Sequence, residues 1–397
     1  MSDKLAVDGG QPVRDSRLPY GRQWLDDDDI QAVVEVLQSD WLTTGPEIAE
    51  FENAFLNYVN AREAVAVSNG TAALHAAIYA ADIGPGDEVI VPPMTFAASA
   101  NCVLYQGGKP VFADVDQGTL LIDPQKVEEK ITPNTKAVIA VDYTGQPCDY
   151  DQLRQITNKY DLTLIADACH AIGGSYKGRA VGSLADLNTF SFHPVKHITT
   201  GEGGMISTDQ PQLAEKMRIF RNHGITTDHR QREEQGSWLY EMVELGYNYR
   251  LTDFQCVLGL NQLRKLPGWI ERRQEIARNY TDAFEKIAEV TPLTVSPEVS
   301  HAYHLYMIQL ETDLLNTDRS QLFRALVAEG IGVNVHYIPV HLHPYYQEHL
   351  GTGPGDCPVA ESAYQRLITL PIFPQMNEED VDDVIMAIKK VVKTYKV

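Results

Sequence analysis

Short apolar runs rich in β-branched residues recur along the first half of this chain, and stretches of helical periodicity lie between them; that alternation constrains the fold more than any other feature. The runs fall at 64–67, 88–91, 109–115, 136–141, 162–166, 188–192 and 204–208, with helical stretches at 26–39, 71–81, 96–105 and 150–160. Strands linked by crossover helices predict an α/β fold, a mostly parallel seven-stranded sheet with helices on both faces. From about 252 to 288 the pattern turns helical, which predicts a linking helix followed by a smaller C-terminal α+β domain. The expected division is a large domain over 1–255 and the linking helix with the small domain over 256–397, the N-terminal segment 1–25 being free to pack elsewhere. The 397 residues suffice for two cores of this kind.

Open α/β sheets bind ligands beyond the carboxyl ends of their strands, and three segments place chemistry there. In the first, Thr189–Phe190–Ser191–Phe192–His193–Pro194–Val195–Lys196 leads from a strand into Gly201–Glu202–Gly203–Gly204, so that Lys196 stands where a strand ends. Alone it reads as a solvated loop lysine, because a free amine with a pKa near ~10.4 is a poor nucleophile at neutral pH. In the second, Asp167 closes the run 162–166; it is the residue type that pairs with the protonated ring nitrogen of pyridoxal phosphate, and equally one that caps a following turn. In the third, Ser68–Asn69–Gly70–Thr71 joins a strand to an Ala-rich helix whose free N–H groups and positive dipole end make an anion site. An ordinary capped strand-to-helix turn has the same wording. Together, however, a lysine, an aspartate and an anion cradle are the three anchors this cofactor requires.

With these segments the chain resembles the sugar aminotransferases of fold-type I pyridoxal-phosphate enzymes, which place amino groups on nucleotide-linked keto sugars. The resemblance is carried by Ser68–Asn69–Gly70–Thr71–Ala72–Ala73–Leu74, Asp167–Ala168–Cys169–His170–Ala171, Ser191–Phe192–His193–Pro194–Val195–Lys196, Gly246–Tyr247–Asn248–Tyr249–Arg250 and Val335–His336–Tyr337–Ile338–Pro339, spread over nearly the whole length. It implies that Lys196 holds the cofactor aldehyde and moves the proton in transamination. It implies further that Asp167 pairs with the ring nitrogen, that His170 sits beside the phenolic oxygen, that Phe96 stacks on the ring, and that Thr71, Ala72 and Ser191 bind the phosphate. Asn248 is implied to reach that phosphate from a neighbouring subunit, so the active site of a homodimer would be shared. Tyr20, Asp40, Trp41, Leu42, Thr43, Asn248, His336 and Tyr337 stand where relatives contact the nucleotide-sugar; Trp41 and Tyr337 read equally as domain-interface packing. The implied reaction moves an amino group from L-glutamate to carbon 4 of a nucleotide-linked 4-keto-6-deoxy sugar. Within the family the wording around Lys196 is most similar to the pseudaminic acid branch, whose substrate is UDP-2-acetamido-2,6-dideoxy-β-L-arabino-4-hexulose. Enzymes of the 4-amino-4-deoxyarabinose, bacillosamine and perosamine type share most of these motifs.

Composition excludes other classes. With 33 basic against 54 acidic side chains the formal charge is -21, which repels nucleic acid and anionic membrane, so a sugar pyrophosphate must be held by local donors. The 5 cysteines are scattered without a paired spacing, which predicts a reducing, cytoplasmic setting with no disulfide framework and no metal site. No long apolar run or signal peptide is visible. Sugar dehydratases of the same family carry histidine at the position of Lys196, which argues against that chemistry here. A non-catalytic regulator would not need Lys196, Asp167, Thr71 and Ser191 together.

Overall fold

The computed structural model describes residues 4–227, 230, 232 and 236–397; the first three residues of the N-terminal segment lie outside the described ones. In chain order the strands are β1 (Glu63–Val67), β2 (Glu88–Val91), β3 (Lys109–Phe112), β4 (Thr135–Val141), β5 (Thr163–Asp167), β6 (Ser175–Tyr176), β7 (Arg179–Ala180), β8 (Leu187–Ser191), β9 (Gly204–Thr208), β10 (Val290–Pro292), β11 (Val299–Ser300), β12 (Tyr306–Leu310) and β13 (Leu367–Leu370). A 7-stranded sheet in the order β1-β9-β8-β5-β4-β2-β3 forms the centre of the molecule, and its strands are the seven apolar runs of the sequence. β2, β3, β4, β5 and β8 pair in parallel, while β9 is antiparallel to both of its neighbours, β1 and β8. Hence β9 alone runs backwards, and β1 points the same way as the parallel strands.

The sheet is continuous in apolar side chains because both of its faces are covered. Val65, Val89, Ile139 and Ile165 are wholly buried within one hydrophobic cluster that also takes in the helices Pro46–Val59 and Gly70–Ala80 through Phe51, Phe55 and Leu74. A second cluster is built on the antiparallel sheet β10-β12-β13 and on the helices Arg319–Ala328 and Glu378–Tyr395, with Ile308, Leu326 and Ile388 at its centre. Leu5 and Leu18 of the N-terminal segment belong to this second cluster. Between the two runs the single helix Asp253–Phe284, whose Cys256 and Leu263 face the first cluster and whose Ile276 and Tyr280 face the second. Its Arg273 is 1% exposed, and the guanidinium donates to the carbonyls of Tyr303 and Ile372 at 3.0 and 2.9 Å, tying the helix to the second cluster.

Candidate active site

Five strands that point the same way, β1, β2, β4, β5 and β8, end on one edge of the large sheet, and a cavity of about 950 Å³ opens there. Each strand delivers a piece of its wall. Beyond β1 come Asn69 to Ala72, beyond β2 Thr95 and Phe96, at the end of β4 Val141, at the end of β5 Asp167 with Cys169 and His170, and at the end of β8 Ser191 with Lys196.

The turn after β1 builds an anion cradle. Asn69 caps the helix Gly70–Ala80 by accepting from the Ala72 N–H at 2.8 Å, and its own carbonyl takes the Ala73 N–H, which leaves Gly70 and Thr71 without helical acceptors. Glycine is required at the first of these positions, since a Cβ there would come within 2.8 Å of the Ser191 Cβ and separate the two walls of the cradle. The Ser191 and Thr71 hydroxyls border the same space.

Asp167 is nearly buried and accepts from the Cys169 N–H at 3.3 Å and from the Ser99 hydroxyl at 2.6 Å. Burial holds the Lys196 ammonium below its ordinary pKa; nearby Cys169 and Asp167 pull the other way without cancelling the effect. An amine so placed deprotonates more readily, which is the requirement for a lysine that works as nucleophile and base. His170 is buried, its Nε2 lies 3.3 Å from the Tyr337 hydroxyl, and its Nδ1 has no partner. Burial, with Lys196 beside it, drives its pKa well below the ordinary histidine value, so the ring is neutral. Phe96 is 61% exposed although it borders the cavity, its ring centroid 6.1 Å from that of Tyr337, so one face is open to a ligand. Taken together, the wall offers an anion cradle, a carboxylate, an exposed aromatic face and an amine of lowered pKa. That donor set fits a flat, basic heteroaromatic ring carrying a phosphate and an aldehyde.

Of the residues expected from sequence, Tyr20, Thr71, Ala72, Phe96, Asp167, His170, Ser191, Lys196, His336 and Tyr337 line this one cavity. Asp40, Trp41, Leu42, Thr43 and Asn248 do not reach it within the chain. The Leu42 carbonyl instead accepts the Asp253 N–H at 3.0 Å, Thr43 bridges to Thr252, and Asn248 is exposed and bridges to Asn222. Sequence reasoning passed over Thr95, Ser99, Cys169 and His304. The spacing of Thr95 and Ser99, one helical turn apart beside Phe96, was the available signal for two of them. Among the described residues no group of three or more His, Cys, Asp or Glu could hold a metal ion, and no helix is long and apolar enough to cross a membrane.

Residues 23–389 match the model of the DegT/DnrJ/EryC1/StrS aminotransferase family. The spore coat polysaccharide biosynthesis protein SpsC of Bacillus subtilis is 44% identical over 382 residues, which span 96% of this chain and 98% of that protein. Among solved structures, the sugar aminotransferase Spr1654 of Streptococcus pneumoniae, described as putative and captured in its PMP form, superposes with a TM-score of 0.90 at 33% identity over 95% of this chain and 99% of that one. The same enzyme in its PLP form gives a TM-score of 0.89. PseC of Helicobacter pylori, an aminotransferase involved in pseudaminic acid biosynthesis, also superposes with a TM-score of 0.89, at 32% identity over 96% of this chain and 100% of that one.

Proposed function

The chain belongs to the DegT/DnrJ/EryC1/StrS aminotransferase family and is a pyridoxal-phosphate-dependent sugar aminotransferase, and from that premise we propose that it moves an amino group from L-glutamate to carbon 4 of a nucleotide-linked 4-keto-6-deoxy sugar. The observation that carries this reading is the convergence of Lys196, Asp167, Thr71 and Ser191 on one cavity. Bound there, the cofactor supplies an electron sink that stabilises negative charge on the carbon undergoing proton transfer. The chain supplies the rest. Thr71, Ala72 and Ser191 would hold the phosphate at the helix start, Asp167 would keep the ring nitrogen protonated, and Phe96 would cover the ring. Lys196 would hold the aldehyde and, as a free amine, move the proton at the reacting carbon, a role its lowered pKa favours. Neutral His170, backed by Tyr337, would stand beside the phenolic oxygen.

Asn248 and the segment 40–43 act at the site of a second copy in this reading, as parts of a homodimer. Support comes from large apolar side chains left exposed in the two segments concerned, Leu42 in the first and Trp238, Leu239, Met242 and Leu245 close in sequence to Asn248, between 47% and 84% exposed. We place the cofactor-binding domain at 1–255 and the linking helix with the small domain at 256–397, and the enzyme in the cytoplasm. Leu5 and Leu18 in the second hydrophobic cluster support an N-terminal segment that packs apart from the large domain.

For the acceptor we propose UDP-2-acetamido-2,6-dideoxy-β-L-arabino-4-hexulose, supported by the likeness to PseC. The 44% identity to SpsC favours a second reading, another 4-keto sugar destined for a surface polysaccharide. Glutamate-dependent amination of a panel of UDP-, dTDP- and GDP-linked 4-keto sugars separates them. The first reading predicts the highest kcat/KM on the UDP-L-arabino substrate, about tenfold or more above its C5 epimer, since a pocket that fits one stereoisomer costs the other ~1–3 kcal/mol. A preference for a dTDP or GDP sugar supports the second reading, and no amination of any 4-keto sugar contradicts both.

A further inference from the structure

Asp167 is fixed from behind by a hydrogen-bonded line that the reaction scheme above does not use. Ser99, in the first turn of the helix Ala98–Tyr105, is wholly buried, and its Oγ lies 2.6 Å from Asp167 Oδ2 and 2.7 Å from Thr95 Oγ1. A hydroxyl has one hydrogen to give. That hydrogen goes to Asp167 at 2.6 Å, the nearer acceptor, and not to the Phe96 carbonyl at 3.3 Å. The Ser99 oxygen must then accept, so the Thr95 hydroxyl, 2% exposed at the cavity wall, donates to it. The direction of the line is thereby set: Thr95 to Ser99 to Asp167. The other oxygen of Asp167 takes the Cys169 N–H at 3.3 Å. With one protein donor on each oxygen, the plane of the carboxylate cannot turn, and its remaining lone pairs stay available to a donor in the cavity.

We propose that Ser99, oriented by Thr95, is the positioning residue that holds the Asp167 carboxylate aimed at the ring nitrogen of the cofactor. The proposal rests on the reading of Asp167 given above. It concerns orientation, not contact: Ser99 touches Asp167, and Asp167 would meet the ring. Removing the hydroxyl leaves a buried carboxylate oxygen without its protein donor, free to rotate away from the ring.

The test compares wild type, S99A, S99T and T95V as holoenzymes by cofactor affinity, by the pH at which the visible absorption band of the bound cofactor shifts, and by the half-reaction with glutamate. Loss of a hydrogen bond to a charged group predicts cofactor binding weakened about 10- to 100-fold in S99A. The band midpoint moves with it, and kcat of the half-reaction falls while KM for glutamate stays within about twofold. T95V is expected to lie between S99A and wild type, and S99T, which keeps the hydroxyl, near wild type. A structural role alone would lower thermal stability and leave the band midpoint in place, and that result overturns the proposal. So does an S99T as impaired as S99A. Should S99A fail to fold, T95V decides, an unchanged midpoint counting against the proposal. Wild-type protein whose cofactor is not fixed to Lys196 by borohydride would sink the underlying reading of the site; a wild type so fixed, with S99A indistinguishable from it, removes Ser99 only.

Discussion

Single buried histidines give the site its electrostatic character. Burial holds His75 and His336 at about 4 and His301 at about 3, and it drives His170, His197 and His304 well below the ordinary histidine range. The rings of His170 and His304 stand 4.4 Å apart and those of His197 and His304 5.6 Å, close to Lys196, so the amine is surrounded by neutral imidazoles and not by competing cations. In the unfolded chain each histidine takes a proton below about pH 6.5, while in the fold it does not; the unfolded state therefore binds more protons, and stability falls as pH drops from about 7 toward 4. Asp142 acts in the opposite sense, its fully buried carboxyl pushed up to about 7 chiefly by burial and further by Asp167, so its contribution is lost as pH rises through that value. Six histidines outweigh one carboxyl, and the expected outcome is a thermal midpoint several degrees lower at pH 5 than at pH 7; a flat or inverted profile would show that these rings are protonated in the fold. At this scale the sequence was legible only where a residue's chemistry was unusual for its place. Lys196 and Asp167 stood at strand ends, where apolar runs stop. His304 sits in unremarkable local sequence, and its meaning comes from residues far away in the chain that face it.

Elements were legible where period and composition agreed. The seven strands of the large sheet come from apolar runs long enough to be buried on both faces, and the helices Asp27–Leu37, Gly70–Ala80, Ala98–Tyr105 and Tyr150–Tyr160 follow the expected stretches to within about two residues. Before the linking helix, the helices Pro46–Val59, Pro124–Lys130 and Pro211–Arg221 were not singled out. Each carries proline in its first turn, a start signal that is easily read as a break. In Pro46–Val59 the buried Phe51, Phe55 and Val59 at four-residue spacing completed the pattern. This helix has no side-chain cap of its own. Its N-terminus is closed from another element, the wholly buried Asp253 accepting from the Gly45 and Glu47 N–H groups at 2.9 and 3.1 Å. Asp253→Ala leaves one buried and one part-buried donor unpaired and is expected to lower stability by about 1–3 kcal/mol in chemical denaturation, with Asp253→Asn recovering part of the loss. An alanine variant as stable as wild type would mean that water replaces the carboxylate.

The whole molecule brings two hydrophobic clusters together along one long helix and leaves the cavity where the carboxyl edge of the sheet meets residues from both ends of the chain. Tyr20 and His336, more than 300 residues apart, have ring centroids 5.3 Å from each other at its wall, and the Ile372 N–H donates to the Tyr20 carbonyl at 3.1 Å. Such contacts are fixed by the folded chain as a whole, and sequence spacing cannot report them. The reach of Asn248 belongs to a larger scale still, that of the proposed homodimer. Everything assigned to this cavity depends on one bond, the attachment of the cofactor to Lys196. Reduction of the holoenzyme with borohydride, followed by proteolysis and mass mapping, tests it directly. The account predicts a single peptide carrying the reduced cofactor on Lys196, and no such adduct in Lys196→Ala; label on a different lysine, or an adduct that persists in the variant, would contradict it.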